Sequence, residues 1–376
     1  MKSKTFLIRL FILIFLGYVT VHVLTVSIDP YQIRGFNPVN KYAGGLIDRF
    51  SKPLSLEKNG GDFKIFIIGS SRVRNFNPLM VEKISKKKTF NYSLVNGSLE
   101  DYIAVVNHIV HVESPEIIYL QLDFYTFNEN HSTRNNILNT PLEKYLNTYV
   151  DLKKGTNGND VSLFFDTTYF SLVAFLDAYK CVKLYLANHK KEETHPNVPD
   201  LPPAATLDKD EPSTSQDQEN KKVGVLKHYF YTPNDKSYPY YNYRINELMV
   251  TRSLGFIKQM VEENQVKLII SLSPMNKEHL GILLSDENLT KNWFRVKEIL
   301  ANIFPSYHDF NNCSVNAFRG PLHWVDSVHM TVKLAKIMMS VVLSQPISDE
   351  PPEKFGFQVT PERLSDYLLH LNESCE

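Results

Sequence analysis

The chain has no charge bias. Lys and Arg total 41, and Asp and Glu also total 41. No basic footprint therefore marks a nucleic-acid partner. Cysteine is scarce: Cys181, Cys313 and Cys375 stand far apart. That spacing excludes a CxxC metal or redox site and a disulfide framework, leaving one bridge, Cys181 to Cys313, open. His108 and His111 share a helical face but have no third ligand near them in sequence, so neither a metal nor another cofactor is expected. There are no internal repeats. The 376 residues suffice for one large domain with an insertion or appendages.

One long apolar run is present. Phe6 to Val26, "FLIRLFILIFLGYVTVHVLTV", covers a hydrocarbon layer of ~30 Å at ~1.5 Å per residue. Lys2, Lys4 and Arg9 lie toward its start, with no acids nearby. The positive-inside rule then keeps the amino terminus cytoplasmic and exports the rest. The following "TVHVLTVSIDPY" offers no small-x-small cleavage site, so residues 1–27 read as an uncleaved membrane anchor. Localisation is accordingly a single-pass inner (cytoplasmic) membrane protein with a periplasmic or extracytoplasmic domain.

Residues 28–62 are polar, punctuated by Pro and Gly and without clear periodicity, reading as a stalk. Then "FKIFIIG" (63–69) is a continuous apolar run of buried-strand length, and Asn77-Pro78 follows as a helix start, with Asn77 as cap and Pro78 at the first helical position. A strand at 89–95, a helix at 99–112 and a strand at 116–124 complete a βαβαβ pattern, which implies a parallel sheet covered on both faces. Alternation stops for about 120 residues. A helical stripe at 171–191 is followed by an acidic, Pro-rich stretch at about 192–222 that buries too little apolar surface to order itself. An aromatic-dense run, "HYFYTPNDKSYPYYNYR" (228–244), comes next. Alternation resumes with strands at 266–273 and 307–311 and helices near 245–263, 291–303 and 331–343. The fold expected is α/β: a doubly wound, mainly parallel five-stranded sheet over 63–345, with a helical or irregular cap inserted at about 128–244. A tail at 346–376 carries one short helix, Pro361 to Leu371.

Ligands of open α/β sheets bind at the carboxyl edge of the strands. Ser70 and Ser71 sit at that edge of the first strand. A serine hydroxyl needs a base to become a nucleophile. "HWVDSVHMTVKLAKIMM" (323–339) places Asp326 three residues before His329 at a helix entrance, a spacing that lets the carboxylate fold back to imidazole Nδ1 and leaves Nε2 free. His323, upstream, is the alternative base. Arg72 and Arg74 could contact a phosphate or carboxylate, or be solvated or ion-paired. Tyr240 and its aromatic neighbours could stack on sugar rings or pack within the cap. Asn91 and Asn96 match a glycosylation sequon but fall within the sheet domain beside the site, so no modification is expected there.

"IIGSSRVRNFNP", "NYSLVNGSLEDY", "LQLDFYTFN" and "DSVHMTVKLAKIMM", with "DPYQIRGFN" before them, together resemble the SGNH, or GDSL-type, esterases and acyltransferases. Within that superfamily they look most like the membrane-anchored bacterial branch related to alginate O-acetylation and D-alanyl transfer proteins. The resemblance covers roughly residues 27–130 and 245–345. It implies a flavodoxin-like SGNH fold with Ser71 as nucleophile, His329 as general base and Asp326 as its orienter. It also implies an oxyanion hole from the Ser71 and Gly97 amides, Gly at 97 permitting close approach and an unusual dihedral. The chain departs from the family in two places: Ser70 stands where the family has Asp, and the third donor, an Asn in "GxND", is missing. Asn128 and Asp123 are the candidates in its place, Asp123 also as a substrate contact. The expected activity is an esterase or O-acyltransferase working through an acyl-serine on cell-envelope carbohydrate or an acylated small molecule, with a membrane acyl-transfer partner possible within that branch. The alternative is an inactive SGNH-fold assembly or polysaccharide-binding protein of the envelope.

Overall fold

In the computed structural model the described residues are 2–30, 48–131, 140–151, 240–318, 322–326, 328–345 and 355–375, with position 137 and short helical pieces within 175–186. The expected disordered loop at 192–222, residues 228–239 of the aromatic run and most of the cap lie outside them.

The first element, α1 (Lys2–Ile28), presents exposed Phe, Leu and Ile side chains along its length. Its Ile8–Ile28 stretch is long and apolar enough to cross a membrane. The next helix corrects the reading of 28–62 as irregular: Asp48–Asn59 is helical (α2), with Pro53 inside it. Polar contacts hold it in place. The Arg49 guanidinium donates to both carboxylate oxygens of Asp101, at 2.8 and 2.7 Å, and to the Val95 carbonyl at 3.2 Å. Lys52 Nζ donates to the Ser93 hydroxyl at 2.8 Å.

The sheet comprises β1 (Ile65–Gly69), β2 (Thr89–Ser93), β3 (Ile117–Leu122), β4 (Lys267–Leu272), β5 (Tyr307–Asp309) and β6 (Phe357–Val359) in the order β2-β1-β3-β4-β5-β6. The first five are parallel, and β6 runs antiparallel to β5, with Val359 opposite Tyr307. The sheet is therefore mixed and six-stranded, not five-stranded. Its extra strand comes from the carboxyl-terminal tail, where only a helix was expected. Every residue of β1 is buried, as a strand covered on both faces requires.

Between the strands run α3 (Pro78–Ser85), α4 (Leu99–Val112), α6 (Glu247–Glu263), α7 (Lys277–Leu284) and α8 (Glu287–Ile303); α5 (Glu143–Asp151) precedes α6, and α9 (Val332–Val342) and α10 (Leu364–Cys375) close the chain. As the sequence indicates, Asn77 caps α3, its Oδ1 accepting from Leu79 N at 2.9 Å with Pro78 in the first turn. Right-handed crossovers put α3 on one face of the sheet and α4, α6 and α8 on the other. The packing agrees: α4 lies against α2, α5 and α6, whereas α3 lies against α9. Because β1 connects to β2 on one side and β3 lies on its other side, the crevice for a ligand opens at the carboxyl ends of β1 and β3.

Cys181 is buried and in no disulfide, whereas Cys313 is disulfide-bonded. The Cys181–Cys313 bridge left open by the spacing is thus not the one that forms.

Burial pushes the imidazoles of His108, His131 and His308 below the ordinary histidine value. In the unfolded chain each titrates near ~6.5, so just below that pH the unfolded state binds more protons. The stability contributed by keeping these rings neutral is complete above that value and is lost as pH falls through the lower folded values. The unfolding temperature of the full-length protein in detergent should therefore decline between pH 7.5 and 5. A flat or rising profile would show that these rings are not buried neutral.

Candidate active site

Strand β1 ends on glycine for a steric reason. A Cβ at Gly69 would lie 2.8 Å from Val73 Cγ1 and 3.1 Å from the Gln121 carbonyl of β3. Beyond it Ser70 caps a 3-10 turn, Ser71–Asn75, its Oγ accepting from Arg72 N at 3.2 Å. Asn91 of β2 ties this turn down, its Nδ2 donating to the Val73 and Phe76 carbonyls at 2.8 and 2.9 Å. The turn leaves Ser71 half-buried, at the carboxyl edge of β1.

The histidine arrives from the other end of the chain on a hairpin-like loop before α9. Its two arms are joined by Val325 N to the His329 carbonyl at 2.8 Å and Thr331 N to the His323 carbonyl at 2.9 Å, and Trp324 anchors it through Nε1 to the Phe318 carbonyl at 2.9 Å. At its tip Asp326 Oδ1 accepts from the amides of both Val328 and His329 at 2.8 Å. That turn aims Oδ2 at His329 Nδ1, 2.7 Å away. A carboxylate accepts only, so Nδ1 carries a proton, and in the neutral ring Nε2 then presents a lone pair. Nε2 lies 2.9 Å from Ser71 Oγ, across 258 positions of sequence. Burial acts to raise the Asp326 carboxyl, but the His329 ring and the Val328 and His329 amides outweigh it, holding the group below the usual carboxylate range. A hydroxyl, an imidazole and an ionised carboxylate in this row can move a proton off the serine oxygen as that oxygen forms a bond. The other histidine of the loop, His323, packs edge-on against Phe318 at 5.1 Å.

Gly97 is buried in the loop between β2 and α4. A Cβ there would meet Tyr102 Cε1 and Oη at 2.9 Å, and Tyr102 is itself fully buried. The glycine is required by close approach. The unusual dihedral falls one residue earlier, on Asn96 at φ 53°. Asp101 braces the same loop, its Oδ2 accepting from Ser98 N at 3.0 Å in a capping box at the start of α4.

Four other candidate side chains are engaged with neighbours inside the protein. Arg72, read as either a substrate contact or an ion-paired side chain, takes the second role: it and Asp123 are 4% and 1% exposed and face each other, Arg72 Nε to Asp123 Oδ1 at 3.2 Å. Among the described residues neither Asp123 oxygen has a hydrogen-bond partner. They form an internal ion pair joining the ends of β1 and β3. The Asn128 carboxamide, expected as an oxyanion donor, stitches a neighbouring segment in place: Nδ2 donates to the Tyr241 carbonyl at 3.1 Å, and Oδ1 accepts from Arg244 N at 3.1 Å. Tyr240 is buried, packed within the protein: it stacks on Tyr243, tilts against Phe124 and meets Tyr125 edge-on, with its hydroxyl 3.3 Å from His279 Nε2. Arg74 pairs with Asp48 of α2 at 3.1 Å. No sequence pattern singles out Arg49, which braces the Gly97 loop through Val95 and Asp101, or Asn75 of the Ser71 turn. The only sequence signal for Asn75 was its position four residues after Ser71.

Among the described residues no group of three or more His, Cys, Asp or Glu side chains is disposed to hold a metal ion. Fold and site together define an α/β protein with a Ser–His–Asp row at the carboxyl edge of its sheet. No protein-family model matches the chain, and no curated protein matches it.

Proposed function

We propose that the protein is a membrane-anchored serine esterase or O-acyltransferase of the SGNH type, acting through an acyl-serine. The observation that carries this reading is the continuous row Ser71 Oγ, His329 Nε2, His329 Nδ1, Asp326 Oδ2, with gaps of 2.9 and 2.7 Å. In the proposed mechanism His329 Nε2 takes the Ser71 hydroxyl proton as Oγ bonds to the acyl carbonyl carbon. The resulting oxyanion rests on the Ser71 and Gly97 amides. Collapse breaks the bond to the leaving alkoxide, which takes the proton back from His329 Nε2. Water or a carbohydrate hydroxyl then gives its proton to Nε2 as it attacks the acyl carbon, and collapse of this second oxyanion breaks the acyl–Oγ bond, Ser71 Oγ taking the proton back from Nε2. Asp326 keeps Nδ1 protonated throughout and stabilises the imidazolium.

Cell-envelope carbohydrate is the acceptor class suggested by the resemblance. An exported location is supported by the apolar span with Lys2, Lys4 and Arg9 at its start and by the disulfide at Cys313, a bond of oxidising compartments. The test is labelling of the full-length protein in detergent by a fluorophosphonate probe, alongside turnover of p-nitrophenyl acetate. Labelling confined to Ser71 supports the enzyme. A chain that neither labels nor turns over is an envelope assembly or binding protein, a reading favoured by the commitment of Asn128 to the 241–244 segment.

The Gly97 role is checked separately. Gly97→Ala presses a methyl against the buried Tyr102 ring and shifts the loop, so turnover should fall by about tenfold or more with KM little changed. Gly281→Ala, where a Cβ meets nothing within 4 Å, is the control. Equal activity of the two variants would remove Gly97 from the oxyanion site.

A further inference from the structure

Ser71 and His329 are brought together from elements 258 residues apart. His329 rides on a loop shaped by hydrogen bonds within residues 318–331. Those bonds fix the shape of the loop, not its position against the nucleophile turn. The contact between the two side chains cannot set that position alone, because it must lengthen and reform as the proton moves. Helix α9, which continues the loop, packs against α3 and the Ser71–Asn75 turn and brings the two elements together; a tie at the site itself, outside the proton path, is needed to fix the fine separation.

Asn75 meets this requirement. It is the last residue of the 3-10 turn that begins at Ser71. It is 6% exposed, and its Nδ2 donates to the carbonyl of Met330, 2.6 Å away and 255 positions distant in sequence. Met330 is fully buried and directly follows His329. The turn and the loop are thus tied at two neighbouring points: Ser71 to His329 through side chains, and Asn75 to Met330 through a bond between buried groups that water does not readily replace. From this geometry we infer that, given the serine mechanism above, Asn75 is a positioning residue: its carboxamide clamps the His329 loop to the nucleophile turn and sets the Ser71–His329 separation.

A misplacement of about 1 Å between reacting groups can cost about 100-fold in rate. Two variants of the full-length protein in detergent test the clamp. Asn75→Ala deletes the donor. Asn75→Asp keeps the volume but sets an acceptor against the Met330 carbonyl. The readouts are kcat and KM for p-nitrophenyl acetate, the rate of fluorophosphonate labelling, and the unfolding temperature. Both variants are expected to lose about 10- to 100-fold in kcat and in labelling rate, with KM within about threefold and a folded protein by thermal melt. Wild-type kcat in either folded variant overturns the clamp while leaving the serine mechanism standing, provided Ser71→Ala is inert. Failure of both variants to fold overturns it in favour of a purely structural role. A wild-type protein that does not label overturns the mechanism and the clamp together.

Discussion

Ser71→Ala should lower p-nitrophenyl acetate turnover by about 10⁴- to 10⁶-fold, the range seen when the nucleophile of a serine–histidine pair is removed. The loss should come from chemistry and not from unfolding, since the change removes one oxygen from a half-buried side chain whose hydrogen-bond partner is His329. His329→Ala should cost a similar amount. The double variant should be no worse than either single one, because a nucleophile without its base and a base without its nucleophile fail at the same step. Asp326→Asn is the finer probe. An amide at Oδ2 would donate toward Nδ1 and favour the tautomer with the proton on Nε2, where it cannot accept from Ser71. With the loop geometry kept, turnover should fall about 10⁴-fold. Steady-state kinetics on folded variants checks all four, and a Ser71→Ala protein keeping a tenth of wild-type turnover would end the serine mechanism.

The parts of this site that could be read in advance are those set by local chemistry. A run such as "FKIFIIG" is a buried strand because of its length and apolarity, and a polar residue following it lies at the sheet edge. Asp326 and His329 could be paired because a three-residue spacing in a tight turn brings a carboxylate onto the imidazole without help from the rest of the fold. What could not be read depends on partners far away in sequence. Helix α2 is poor in apolar residues and has a proline inside it. It is held by Arg49 on Asp101, 52 residues away, and no local pattern announces that contact. Strand β6 is three residues long and exists because β5 offers it an edge. Arg72 and Asp123 look like site residues because both follow strands at the carboxyl edge, yet their opposite charges find each other below it. Tyr240 belongs to an aromatic run whose composition serves stacking on a sugar as well as stacking on Tyr243, and only the fold distinguishes them.

Breaking the pair Arg49–Asp101 should cost about 3 to 5 kcal/mol, because each single change leaves an uncompensated charge among groups with no exposed side-chain surface. Arg49→Met strands the Asp101 carboxylate, and Asp101→Asn strands the guanidinium. At about 2 to 4 °C per kcal/mol for a domain of this size, either should lower the unfolding temperature by roughly 6 to 20 °C. The double variant Arg49→Met, Asp101→Leu should lose clearly less than the sum of the two single variants, since it leaves no lone charge behind. Additive losses, or singles within about 1 kcal/mol of wild type, would mean that the pair is solvated in solution. The same pair bears on activity. Arg49 holds the Val95 carbonyl and Asp101 holds Ser98 N, so one salt bridge grips both sides of the loop presenting Gly97. At a temperature where the single variants remain folded, they should therefore turn over more slowly than wild type while Ser71 still labels. In that case the helix just before the sheet domain braces the proposed oxyanion loop as well as the fold.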